Sequence, residues 1–237
     1  MSSTYIFPAP EQPSVPVRGS SARYAVSRIF CVGRNYAAHA REMGSDPDRE
    51  PPFYFSKPAN ALVESGATIA YPPMTQNLHY EMELVLALGA PLFRATPEQA
   101  AEAIWGYAAG LDMTRRDLQN AAKATGRPWD TGKAYEQSAV ITDLIPAAQA
   151  GNMANGRGKG AITLQVNGVE KQRGDLSDMI WSNAEIVANL SQFYHLGPGD
   201  LIYTGTPEGV GPVKPGDEIT GQIEGLVNLT LTIGPAE

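Results

Sequence analysis

Apolar positions in this chain fall in short runs, many alternating with polar residues, and glycine or proline breaks nearly every run. Residues 29–32 form one apolar run ending at Gly33. Residues 79–88 give the clearest strand of the first half, with Leu84, Leu86 and Leu88 on one face. Residues 105–111 predict another strand. Ile162, Leu164 and Val166 alternate into Asn167-Gly168, a two-residue hairpin signal. The tail reads as three more strands, over 201–204, 218–223 and 226–233.

Helical signals are fewer and local. Thr96-Pro97-Glu98-Gln99 supplies an N-cap, a proline at the first helical position and a glutamine to close a capping box. Ser182 and Glu185 form a second box, followed by Ile186, Val187, Leu190 and Phe193 along one helix. Residues 35–43 have helical composition, with Asn35 as a cap and Gly44 as the stop. Residues 114–123 read as a helix capped by Thr114 with Asp117 in its first turn. Residues 50–60 carry Pro51, Pro52 and Pro58 and are expected to be largely irregular. Strands outnumber helices and do not alternate with them one for one, so the expected class is α+β, β-dominated. Residues 1–25, with Pro8, Pro10, Pro13 and Pro16, read as an extended arm, and residues 26–237 as a single domain.

Composition narrows the possibilities. Charged residues make up 18% of the 237 residues, against about 25% in ordinary soluble domains, and 43% are hydrophobic, which excludes a disordered chain. The net charge of −7 argues against a nucleic-acid partner. A single cysteine, Cys31, excludes an internal disulfide and a thiolate metal cluster. The N-terminus has no apolar core of a secretory signal, and the longest nearly apolar run, residues 84–93, is too short to span a bilayer. A cytoplasmic protein with no membrane partner is expected.

Candidate chemistry centres on carboxylates. Glu81 and Glu83, two apart on a strand, share one face, and Val85 and Ala87 continue that face as apolar residues. The pair is either a solvent-facing edge or a site neutralised by a hard cation such as Mg²⁺, Mn²⁺ or Ca²⁺. Asp112, at the end of its strand, is either a further ligand or a helix cap. Arg116 and Gln119, three apart, share a helix face suited to gripping an anion, or are part of a solvated surface. His39 and Glu42, also three apart, permit an imidazole oriented by a carboxylate, or a plain surface pair. His79 lies on the carboxylate face, and His195 sits beside a helix end. Lys133 follows a glycine, but the P-loop spacing is absent, and Pro207 and Pro212 forbid the helix that a dinucleotide fingerprint needs. Zinc-protease, serine-elbow and Cys-x-x-Cys patterns are absent as well.

These residues lie in ordered blocks: Val32-Gly33-Arg34-Asn35-Tyr36 with His39 and Glu42, Phe55-Ser56-Lys57-Pro58, Tyr80-Glu81-Met82-Glu83-Leu84, the stretch from Asp112 to Gln119, Gly132-Lys133, Ser177-Asp178-Met179, and Thr204-Gly205-Thr206-Pro207 with Gly209-Val210-Gly211. In that order the chain resembles the fumarylacetoacetate hydrolase family, over about residues 29–233, and especially its short acylpyruvate hydrolase members. The resemblance implies a mixed β-roll or sandwich with a few short helices. It implies one divalent cation, Mg²⁺ or Mn²⁺, on Glu81, Glu83 and Asp112, with no organic cofactor. It further implies His39 with Glu42 as the water-activating dyad, Lys133 as an oxyanion stabiliser, and Arg116, Gln119 and Thr206 as substrate contacts. Arg34 and Arg116 could take a distal carboxylate, which favours fumarylpyruvate among keto-acid substrates. A homodimer is expected by the same likeness. Oxaloacetate decarboxylation, isomerisation of a 2-hydroxydienedioate and a non-catalytic binding scaffold are the alternatives. The chain departs from many relatives at His79, where an acid is common, and at Ala134-Tyr135-Glu136.

Overall fold

A computed structural model describes residues 5–37, 50–153 and 158–237. Two sheets carry the architecture. The larger is mixed, in the spatial order Phe53–Lys57, Arg28–Gly33, Asp200–Tyr203, Met82–Leu88, Ile104–Asp112, Ala139–Ile141 and Leu62–Glu64, with Ile145–Pro146 pairing onto the Ile104–Asp112 strand. Its centre is antiparallel: Met82–Leu88 pairs with Ile104–Asp112 on one side and with Asp200–Tyr203 on the other. The second sheet runs Val169–Asp175, Ala161–Val166, Glu218–Ile223, Leu229–Ala236 and Thr68–Tyr71.

Alternation explains why the central strand is buried on both faces. Met82, Leu84, Leu86 and Leu88 join Leu111, Ile162, Leu164, Ile219, Leu229 and Leu231 in the core between the sheets. The opposite face places Val85 and Ala87 with Cys31, Ala108, Leu201 and Tyr203 in a second cluster. That cluster is completed by Val15, within the short antiparallel pair Ser14–Pro16 and Arg23–Ala25, and by Val26, just after it. Sequence periodicity therefore assigned both faces of this strand correctly, and Glu83 points to the side of Val85 and Ala87.

Local signals hold where the chemistry is local. Asn167 and Gly168 both adopt positive φ, 51° and 76°, in the turn between Ala161–Val166 and Val169–Asp175. Both capping boxes form, Thr96 with Gln99 at the head of Pro97–Ala103 and Ser182 with Glu185 at the head of Asn183–Leu190.

Four expectations are corrected. Residues 50–60 contain a regular strand, Phe53–Lys57, because it is an edge strand and its prolines fall outside it. The expected single strand over 79–88 is two, Leu78–Tyr80 and Met82–Leu88, interrupted at Glu81. The helix expected from Thr114 begins at Arg116. Thr114–Arg115 instead pairs with Leu78–Tyr80, and Asp117 accepts from Thr75 Oγ1 (2.6 Å) and the Gln76 amide (3.0 Å). Asn35 makes long-range bonds in place of a cap: its Oδ1 accepts from the Trp181 amide (2.8 Å) and its Nδ2 donates to the Thr204 carbonyl (2.9 Å). The rest of the helix expected over 35–43 lies outside the described residues beyond Ala37. Among the described residues no helix is long and apolar enough to cross a membrane.

Candidate active site

The break at Glu81 builds the site. Its carbonyl accepts the Asp112 amide at 2.9 Å, so the interruption still locks onto the neighbouring strand end. Glu81, Glu83 and Asp112 thereby converge, each offering one carboxylate oxygen within 4.8 Å of the others. All three are buried, at 6%, 2% and 0% exposure, a placement that excludes the solvent-facing edge as an explanation for them.

Such a cluster requires counter-charge, and the chain supplies it from three sides. Lys133 Nζ donates to Glu81 Oε2 (2.8 Å), Asp112 Oδ2 (2.5 Å) and Thr114 Oγ1 (2.6 Å). The Arg116 guanidinium bonds Glu81 Oε1 with one nitrogen and Gln119 Oε1 with another. Lys57 Nζ stands 2.8 Å from Asp112 Oδ1, an ion pair out of line for a hydrogen bond, and donates to the Met113 and Lys133 carbonyls. Glu83 has the weakest compensation. Its Oε2 accepts the Gly205 amide at 2.8 Å, yet burial, then the like charges of Asp112 and Glu81, push its carboxyl well above the usual range. For Lys133, burial works to lower the pKa, but Asp112 and Glu81 outweigh it and hold the ammonium above its ordinary value.

An all-oxygen donor set of three buried carboxylates, one of them carrying like-charge repulsion that the Gly205 amide and Lys133 offset only in part, fits a hard divalent cation better than zinc or copper, which favour nitrogen and sulfur.

Above this floor lies a narrow cleft that opens to solvent. Phe53, Phe55 and Trp129 form its aromatic wall, with Phe53 and Trp129 edge to face at 5.0 Å. Arg34, half-exposed and in the left-handed region (φ 60°), borders the mouth with its guanidinium 5.9 Å from the Phe53 ring. Thr206, 3% exposed, lines the far side. Arg116, Gln119 and Lys123 line the cleft from the Arg116–Ala124 helix at i, i+3 and i+7, which is one helix face.

Among the sequence candidates, the structure brings Glu81, Glu83, Asp112, Lys133, Arg116, Gln119, Arg34 and Thr206 to this one cleft. His39 and Glu42 lie outside the described residues. His79 is held beside the floor, its Nε2 2.9 Å from Asn77 Oδ1; burial, then the Arg116 charge, lowers its pKa to about 4, so the ring is neutral. His195 belongs elsewhere, stacked on Phe93 with ring centres 3.8 Å apart. Two buried residues in contact with the site had no role assigned from sequence, Lys57 and Gln172. No sequence signal marked Gln172: a regular Asn167-Gly168 hairpin would set it opposite Thr163, and the bulge between Leu164 and Gln165 is what turns it inward. Gln172 sits opposite Leu164, an inward position where an apolar residue is the norm.

Fold and cluster together define a strand-dominated roll with a buried carboxylate centre at the base of a cleft. The chain belongs to the fumarylacetoacetate hydrolase family: the family model for the fumarylacetoacetate (FAA) hydrolase C-terminal region matches residues 28–234. It is 56% identical over 197 residues to fumarylpyruvate hydrolase from Ralstonia sp., covering 82% of this chain and all of that protein. The crystal structure of fumarylpyruvate hydrolase from Pseudomonas aeruginosa in complex with Mn²⁺ and pyruvate matches with a TM-score of 0.93 and 52% identity, over 98% of this chain and 100% of that one. Oxaloacetate tautomerase YcgM from Escherichia coli (strain K12) is 41% identical over 209 residues, 88% of this chain and 93% of that protein.

Proposed function

We propose that this chain is a divalent-metal-dependent hydrolase that cleaves the carbon–carbon bond of an acylpyruvate, foremost fumarylpyruvate to fumarate and pyruvate. The observation that carries this reading is the meeting of three buried carboxylates with Lys133 and Arg116 at the floor of one cleft, in a chain 56% identical to a fumarylpyruvate hydrolase. Glu81, Glu83 and Asp112 would hold Mg²⁺ or Mn²⁺, which supplies Lewis acidity toward a ketonic oxygen when bound.

The chain's own groups then divide the work. Lys133, held protonated by Asp112 and Glu81, acts through its charge and its N–H bonds, since an ammonium with a raised pKa is a poor base at neutral pH. Arg116, tied to Glu81 and Gln119, offers a fixed guanidinium edge to a substrate carboxylate, and Arg34 at the mouth takes the distal one. His39, oriented by Glu42, takes a proton from water as the water oxygen bonds to C4. The C4–oxygen electron pair displaced by that attack returns as the C3–C4 bond breaks, the bond's electrons pass to the pyruvate enolate, and the proton held by His39 is delivered to C3 as pyruvate leaves. The aromatic wall of Phe53 and Trp129 suits a flat conjugated acyl group.

The test is to follow fumarylpyruvate, acetylpyruvate and oxaloacetate with Mn²⁺ or Mg²⁺, and again after chelation. Cleavage of fumarylpyruvate that stops on chelation and returns with Mn²⁺ is expected, and His39→Ala should abolish cleavage while leaving metal affinity intact. Activity that survives complete chelation overturns the reading. The 41% identity to an oxaloacetate tautomerase favours a second reading, proton transfer at C3 of oxaloacetate over the same floor. Faster enol–keto exchange of oxaloacetate than cleavage of fumarylpyruvate would select it. A cytoplasmic homodimer belongs to the same proposal. The exposed aromatic side chains of Phe93, Phe193 and Tyr194 support the dimer, which sedimentation checks.

A further inference from the structure

Gln172 is fully buried on Val169–Asp175, the outer strand of the second sheet, yet its amide reaches the active-site loop and the large sheet. Its Nε2 lies 2.9 Å from the Pro207 carbonyl and 2.9 Å from Thr206 Oγ1, and its Oε1 lies 3.1 Å from the Met82 amide nitrogen. Two of these partners admit one role only. A carbonyl accepts and a backbone N–H donates, so the orientation of the Gln172 amide is fixed by Pro207 and Met82. The third contact then has no freedom: Gln172 Nε2 donates, and Thr206 Oγ1 accepts. The Thr206 proton is therefore directed away from Gln172, and among the described residues it has no acceptor, while the hydroxyl lines the cleft.

We infer that Gln172 is a positioning residue that makes Thr206 a hydrogen-bond donor to an anionic oxygen of the substrate. The same amide holds Met82, the residue between Glu81 and Glu83, so it also sets the distance between the donor and the carboxylate floor. A second tie, Gly205 N–H to Glu83 Oε2 at 2.8 Å, fixes the same loop to the same floor. The inference rests on the keto-acid reading above for the identity of the anion.

The test is a double-mutant cycle on Gln172→Met and Thr206→Val, read by calorimetric pyruvate affinity of the Mn²⁺-loaded protein and by the split between KM and kcat for fumarylpyruvate. Each single variant should weaken pyruvate binding and raise KM by about 10-fold or more, the value of a hydrogen bond to a charged group, with a smaller change in kcat. The double variant should lose no more than Thr206→Val alone. Thr206→Ser, which keeps the hydroxyl, should restore most of the affinity. Losses that multiply in the double variant, or normal pyruvate affinity in a folded Gln172→Met protein, overturn the inference. If Gln172→Met fails to fold, Gln172→Glu keeps the side-chain size. Its carboxylate can accept but not donate, so it turns the Thr206 proton inward, and it should match Thr206→Val in pyruvate affinity. Wild-type affinity in that variant overturns the inference equally. A wild-type protein that binds pyruvate but cleaves no acylpyruvate would sink the proposed reaction and leave this cycle readable.

Discussion

The Lys57 ammonium has three oxygen partners and almost no access to water: the Met113 carbonyl, the Lys133 carbonyl and Asp112 Oδ1. Lys57→Met keeps the length of the side chain and deletes the charge. It leaves Asp112 fully buried with Lys133 as its remaining ion-pair partner, and removing one member of a buried pair costs about 3–5 kcal/mol. A urea titration should show that loss, and a change under 1 kcal/mol would mean the pair is not formed in solution. The sequence placed this lysine in the Phe55-Ser56-Lys57-Pro58 block but gave it no role, since its partners lie 55 or more positions away. Tyr24 supports a pH prediction. Its hydroxyl accepts the Gly199 amide and lies 2.7 Å from the Leu88 carbonyl, and burial, offset by the Gly199 bond and reinforced by Asp200, raises its pKa to about 12. Between about 10 and 12 the unfolded chain has released the phenolic proton and the folded one has not, so stability falls as pH rises through that window. Tyr24→Phe should be less stable near neutrality and show a shallower decline above pH 10, measured by denaturant melts across the range.

At the scale of elements, the signals that depend on a few neighbouring residues were legible and those that depend on distant partners were not. The Asn167-Gly168 turn and the Thr96 and Ser182 caps form because each is complete within about four residues. Ser182→Ala should therefore cost about 1 kcal/mol, visible as a lower urea midpoint with activity retained. The edge strand Phe53–Lys57 was hidden by flanking prolines, and Thr114 looked like a cap because its true partners, Lys133 and the strand Leu78–Tyr80, are remote in sequence. The carboxylate pair was legible by spacing, but the interruption of the strand at Glu81 was not. Gly33 shows how close the elements approach. A Cβ there would fall 1.8 Å from Phe53 Cε1, so Gly33→Ala must displace the aromatic wall of the cleft. A rise in KM for the acyl substrate, with metal affinity unchanged, is the expected outcome in steady-state kinetics.

For the whole molecule, the cation site should be a measurable part of stability. A ligand at a hundredfold excess over its Kd adds about 2.7 kcal/mol to a fold that alone can bind it. At about 2–4 °C per kcal/mol for a chain of this size, saturating Mn²⁺ should raise Tm by about 5–10 °C in calorimetry. Asp112→Asn should abolish that rise, and an undiminished shift would place the ion elsewhere.

The three acids and their three counter-cations all come from residues 57–133, whereas the mouth of the cleft takes Arg34, Phe53 and Thr206 from outside that stretch and only Trp129 from within it. Arg34 and the Phe53 and Trp129 rings can thus vary over a fixed floor, whereas Thr206 is tied to it through Gln172 and through the Gly205 amide on Glu83. Exchanging one keto acid for another needs new side chains only around the opening, while the electrostatic base stays fixed. That separation offers a physical route by which proteins with names as different as hydrolase and tautomerase share one scaffold, and it directs any redesign of selectivity to the rim.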